Sequence, residues 1–215
     1  MCGRFILLTD LFVIVESFSI NEIACDYRPD DNISPGQQVA AVIHDNDKNR
    51  LAGYRWGLIP SWAEDPSIGS RMFNARAETI AEKPSFAQAF QKRRCLIPAD
   101  GFYEWQKTGK VKIPLRFALK SGQPFGFAGL YETWISPGKE PVNTCTIITT
   151  EANELIRPIH ERMPVIVPKD REAFWIDPDN RHQKELLSIL KPYPSDEMRM
   201  SEVDAKRFDG SKRLT

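Results

Sequence analysis

The stretch Cys95-Leu96-Ile97-Pro98-Ala99-Asp100-Gly101-Phe102-Tyr103-Glu104-Trp105 joins an apolar run to an alternating aromatic one. Gly101 to Trp105 reads as a β-strand, and its period of two puts Phe102 and Glu104 on one face and Tyr103 and Trp105 on the other. A carboxylate beside Phe on a core-facing side is unusual, because burying it unpaired is costly. Such a group has its pKa raised toward neutrality and can pass protons both ways. A salt bridge to one of the arginines is the competing role for Glu104.

Working outward, Pro114 to Leu119, Phe125 to Tyr131 and Val142 to Thr149 continue the sheet, with turns at Ser121-Gly122 and Pro137-Gly138. Upstream, Gln38 to His44 and Leu51 to Trp56 form a hairpin around Asp45-Asn46-Asp47. Cys2 to Leu8 and Met163 to Val167 read as further strands. Helices are predicted from a Thr9 cap to Ser19, over Met72 to Glu82 with Asn74 and Arg76 on the loop at its start, and from a Ser85 cap over Phe86 to Arg94. In the last of these Phe86, Ala89 and Phe90 share a face. Three more are predicted: Glu151 to Ile159 running into His160, Arg171 to Ile176, and Gln183 to Leu190. The polar tail from about Ala205 is expected to fray. There is no internal repeat and no dividing linker. The expectation is a single domain over residues 1–215, α+β and rich in strand.

Composition excludes several classes. Among 215 residues, Lys+Arg and Asp+Glu are both 29, so no whole-molecule field attracts nucleic acid or an acidic membrane. A polyanion has to be held by a local basic patch, with salt-sensitive affinity. Cysteines 2, 25, 95 and 145 form no CxxC pair, and with only His44, His160 and His182 a zinc site is not expected, nor any other metal or cofactor. Reduced thiols place the protein in the cytoplasm. The apolar run Phe5 to Phe18 is broken by Asp10 and Glu16 and reads as neither signal peptide nor membrane span.

The N-terminal Met1-Cys2-Gly3-Arg4 carries the most specific chemistry. Without Met1, Cys2 bears an α-amine and a thiol on adjacent carbons, titrating near pH ~8 and ~8.5 when unperturbed. The amine condenses with an aldehyde to an imine, and the thiol then closes a five-membered thiazolidine. A terminal nucleophile served by its own amine can also cleave amides. The bland alternative is a buried small residue that starts a strand.

Other candidates stand beside it. His160 suits proton transfer near pH 7, with a helix C-terminus favouring its charged form. Asn74 and Arg76 can meet an anion at a helix start. Arg4, two residues from Cys2 on one strand, should share its face and bind a phosphate or carboxylate. Lys92-Arg93-Arg94 reads as a solvated helix end. Of the aromatic residues Trp56, Trp62, Tyr103 and Trp105, at least half should fill the core, and the rest can stack on single-stranded bases.

Taken together, the chain resembles the SRAP family of abasic-site processing proteins. The matching text is Met1-Cys2-Gly3-Arg4-Phe5, Asn74-Ala75-Arg76-Ala77-Glu78-Thr79, Cys95 to Pro98 with Gly101 to Trp105, Thr149-Thr150 with Ala152-Asn153, and Ile159-His160-Glu161-Arg162-Met163-Pro164. These segments spread over residues 2 to about 168. The resemblance implies a partly open β-barrel-like core with peripheral helices. It implies that Cys2, freed of Met1, crosslinks to abasic sites in single-stranded DNA, with Asn74, Glu104 and His160 as the other catalytic positions. Arg4, Arg76 and Arg162 would hold the DNA backbone, and Trp62 and Trp105 are further DNA-contact candidates. The implied protein is a monomer acting in the DNA damage (SOS) response, with lyase-type chemistry and peptidase-type loss of Met1. Two departures stand out: Trp62 is followed by Ala63 where adjacent tryptophans can occur, and Ser34 replaces a common Ala. The rival readings are an N-terminal-nucleophile thiol amidase and a non-catalytic single-strand binder.

Overall fold

A computed structural model describes residues 2–109 and 111–208. The architecture is α+β, dominated by two sheets. The smaller, five-stranded sheet runs in the order β13 (Met198–Glu202), β9 (Val111–Leu119), β8 (Gly101–Thr108), β1 (Phe5–Leu7), β3 (Asp30–Ile33). The larger runs β12 (Arg162–Pro164), β11 (Pro141–Glu151), β10 (Phe125–Ile135), β7 (Arg94–Ala99), β4 (Gln38–Asp45), β5 (Lys48–Trp56), β2 (Glu22–Ala24). A short strand, β6 (Asn74–Arg76), pairs with β11 in parallel. The partly open, barrel-like core expected from the resemblance corresponds to these two sheets.

The sheets meet through aromatic residues. Phe5 of β1 packs its ring 5.2 Å from Trp56 of β5 and 5.8 Å from Phe127 of β10, and Phe102 of β8 lies 6.1 Å from Phe127. Edge-on geometry of this kind fits the ring quadrupole as well as removing large surfaces from water. Gly101 allows β8 to approach β9, since a Cβ there would lie 2.6 Å from the Phe117 carbonyl oxygen. The β4–β5 hairpin turns where expected: Asn46 and Asp47 take φ of +49° and +58°, the pair that a two-residue hairpin loop of matching twist requires.

Several expectations are corrected. The first helix, α1, spans Leu11–Ser17, and Thr9 does not cap it: the Thr9 hydroxyl and the Leu8 and Thr9 amides donate to the Asp100 carboxylate, tying the end of β1 to the β7–β8 turn. Residues 74–76 are strand, not helix, because β11 offers an open edge to pair with; only a 3-10 turn, Ala77–Thr79, follows. The next helix, α2 (Pro84–Lys92), starts one residue before Ser85 with proline in its first turn, and Phe86, Ala89 and Phe90 are its buried face. Residues 154–159 form successive turns, with the Asn153 side chain accepting from the Ile156 amide, so His160 ends no helix. Helices α3 (Glu172–Ile176) and α4 (Gln183–Ile189) form close to expectation.

Of the basic run, only Lys92 is a solvated helix end. Arg94 is 2% exposed and donates to the carbonyls of Phe90, Gln91, Trp175, Asp177 and Asn180, while Arg93 pairs with Glu132 at 2.7 Å. The tail from Ala205 docks as a 3-10 turn over Ala205–Phe208; the remainder of the tail, 209–215, lies outside the described residues. No helix among the described residues is long and apolar enough to cross a membrane.

Candidate active site

Register places Cys2. The Tyr103 amide donates to the Arg4 carbonyl and Phe5 stands opposite Phe102, so continuing β1 backwards carries residues 2–4 along Tyr103 to Trp105, where the Glu104 charge is felt by the Cys2 thiol. Residues 2–4 precede the regular strand, which begins at Phe5. The Arg4 guanidinium is held by Asn32 at 2.6 Å, while the Cys2 carbonyl accepts from Asn74 Nδ2 at 2.8 Å. Cys2 is fully buried, and burial together with the Glu104 charge pushes its thiol well above its ordinary pKa.

Asn74 arrives from the other sheet. In β6 the buried Ala75 faces inward, so Asn74 and Arg76 project to the opposite side together, Arg76 exposed. The Asn74 Oδ1 acceptor is buried and has no hydrogen-bond partner among the described residues. On β11, Thr149 stands opposite Arg76 on one edge and Pro164 on the other. The two short strands thereby flank one central strand, with Asn74 on the first and His160 two residues before the second.

Glu104 sits on β8 opposite Leu115 and is 5% exposed; burial pushes its carboxyl up to about 7. His160 is half-buried, and its Nδ1 accepts the Arg162 amide at 2.9 Å. That bond puts the proton of the neutral ring on Nε2. Burial holds its pKa below the usual imidazole value, the reverse of what a helix C-terminus would have done.

The DNA-contact candidates divide. Arg76 and Trp62 (58% exposed) are open to solvent. Arg162 is engaged by the protein, donating to both Glu78 carboxylate oxygens at 2.5 and 2.9 Å and to the Thr149 carbonyl at 2.6 Å. Trp105 is half-buried beneath Phe208. Trp56 fills the interior and Tyr103 is covered from solvent, with Phe208 packed on it, as expected of half the aromatic set. Asn32, Glu78 and Thr149 were assigned no role from sequence, although all three lie in or beside the motif segments. Their part is to hold the arginines, and which arginine a polar residue holds depends on pairings far along the chain.

The family profile described as SOS response associated peptidase (SRAP) matches residues 1–207. The chain belongs to the SRAP family. It is 48% identical over 208 residues to the abasic site processing protein YoqW of Bacillus subtilis, covering 95% of this chain and 93% of that one. Against the abasic site processing protein HMCES of Xenopus tropicalis the identity is 32%, with 77% of this chain and 59% of that one covered. A crystal structure of a Bacteroides thetaiotaomicron protein superposes with a TM-score of 0.89 at 26% identity, covering 98% and 95% of the two chains.

Both departures from the SRAP pattern have structural correlates. Ala63 is buried, and its carbonyl accepts from the Trp134 indole at 2.7 Å, so this loop presents one exposed indole, Trp62. Ser34 donates its hydroxyl to Gln37 at 2.7 Å within the turn before β4.

Proposed function

We propose that this SRAP protein processes abasic sites in single-stranded DNA by forming a covalent link through Cys2 once Met1 is removed. The observation that carries the reading is the hydrogen bond at Cys2, whose carbonyl Asn74 grips at 2.8 Å, with the Glu104 charge close enough to raise its thiol pKa. The names of the curated relatives support the same substrate.

The chemistry follows from the residues. An abasic deoxyribose is a cyclic hemiacetal and must open before an amine can attack. His160, with the neutral-ring proton on Nε2, is the group to donate to the ring oxygen, and it recovers a proton through solvent from the hemiacetal hydroxyl as the aldehyde forms. The Cys2 amine adds to the released aldehyde, and Glu104, poised near 7, takes a proton from nitrogen and returns one to the hydroxyl that leaves as water. The imine carbon then accepts the Cys2 sulfur, whose proton passes to nitrogen, closing the thiazolidine. A thiol with a raised pKa stays protonated until a base is at hand, and Glu104 relays its proton to the nitrogen. The free acceptor of Asn74 suits the sugar hydroxyl or the Cys2 amine. Elimination at the imine stage would cut the strand, and ring closure by sulfur competes with it. The same Glu104 could reprotonate the ring and reverse the link. Arg76 and Arg4 would contact the phosphates on either side of the lesion.

The test uses processed protein and a single-stranded oligonucleotide bearing one abasic site, followed by denaturing electrophoresis. A covalent band that survives heating should form with the wild-type chain. Cys2→Ser should retain imine chemistry, trapped by borohydride, and lose the stable band. A heat-stable adduct of normal yield with Cys2→Ser would sink the mechanism. Acylation of Cys2 by an amide substrate with no DNA adduct would select an amidase instead.

A further inference from the structure

The face of β8 opposite Glu104 carries an aromatic pair that the reaction scheme leaves unused. Tyr103 and Trp105 project there, and Phe208 caps both, its ring 5.0 Å from Tyr103 and 5.3 Å from Trp105, edge-on to each. Arg207 beside it pairs with the Asp31 carboxylate at 3.1 Å. Arg4 is the neighbour of this pair on the adjacent strand, through the Tyr103 amide.

We propose that the Tyr103–Trp105 face is a seat for an unpaired base of single-stranded DNA, and that Phe208 is its built-in competitor. The proposal rests on the reading that this chain engages single-stranded DNA; what is new is the place of one base and the segment that must leave it.

The docked segment is built to be displaced. It is a four-residue turn whose side chains are largely exposed, following a strand that ends at Glu202. Its ion pair is open to solvent on both sides, 38% and 42%, so ionic strength weakens it. An edge-on ring pair biases an equilibrium by roughly two- to tenfold. A base stacked on a flat aromatic face contributes roughly five- to a hundredfold. Phe208 makes two such pairs, so stacking alone is an even match; the phosphates of a strand already held nearby tip the balance, which a free nucleotide at low concentration does not. Lifting the turn also parts Arg207 from Asp31 and frees a cation next to the incoming backbone.

The experiment measures fluorescence anisotropy of an undamaged, labelled single-stranded oligonucleotide with the full chain. Phe208→Ala should tighten binding about three- to tenfold, Trp105→Ala should weaken it, and the double variant should show no gain over Trp105→Ala. Asp31→Asn, which loosens the turn without touching an aromatic ring, should tighten binding at low salt and lose that advantage as salt rises. Unchanged or weaker binding by both Phe208→Ala and Asp31→Asn overturns the competitor. Unchanged binding by Trp105→Ala overturns the seat. Adduct formation with abasic DNA, run on the same wild-type preparation, separates these failures from failure of the crosslinking reading.

Discussion

Arg94 and Glu104 are both buried charged side chains, and the protein treats them in opposite ways. All five N–H groups of Arg94 can be matched to the five backbone carbonyls around it, and its guanidinium lies over the Trp175 ring at 5.9 Å. Burial lowers its pKa only to about 10, so it stays charged at every physiological pH and stitches α2 to β7 and α3. Glu104 is set among Phe102, Leu115 and Cys2, and burial brings its titration to about 7. Neutral dipoles fix a charge; a desolvated carboxylate beside a thiol keeps the ability to change it.

The contrast breaks most sharply at Cys2. Cys2→Ala should abolish the stable adduct altogether while leaving single-stranded DNA binding in place, as read by electrophoresis and anisotropy. Glu104→Gln should slow adduct formation by about 10²–10⁴-fold, the usual range for a lost acid–base group, and erase the inflection near pH 7 in the rate profile. The same variant tests the energetics. Above about pH 4.5 the unfolded chain gives up the Glu104 proton, whereas the folded chain keeps it until about 7. Native stability therefore falls as pH rises through that window. Glu104→Gln should melt higher than wild type at pH 8 and no higher at pH 4.

Arg94→Met probes the other pole. It strands five carbonyls in the interior and should lower unfolding free energy by about 3–5 kcal/mol in urea titrations. The crosslinking rate per folded molecule should not change. The smallest effect is expected at Trp62, where replacement by Ala should weaken single-stranded binding a few-fold with no change in adduct yield at saturating DNA.

How much of this was legible beforehand depended on the range of the interactions. The alternation in Gly101 to Trp105 and the Asp45-Asn46-Asp47 turn are local signals, and both predicted the elements found. The burial of Glu104 followed from its place beside Phe102. The strand at 74–76 could not be read, because its three residues extend only where β11 lends an edge more than 70 positions later. Arg94 looked like any exposed base in a helix-end run, since its partners at 175, 177 and 180 are distant in sequence. The same holds for Phe208, whose polar surroundings gave no sign that Tyr103 and Trp105 would receive it. Cys2, Glu104, Asn74 and His160 were identified through chemistry and family resemblance, and only the fold shows how the first three come within reach of one another.

The arrangement around Cys2 also sets a schedule. Its neighbours come from positions 74 and 104, and β12 beside them ends at residue 164. At about 5–20 residues per second, on the order of ten to thirty seconds of synthesis pass before those pieces have all been made. Through that interval the start of the chain stays unburied on the ribosome, open to whichever enzyme trims the initiator residue. Once the sheets close, Cys2 itself is fully covered. On the proposed mechanism, removal of the residue before Cys2 is therefore easiest during translation.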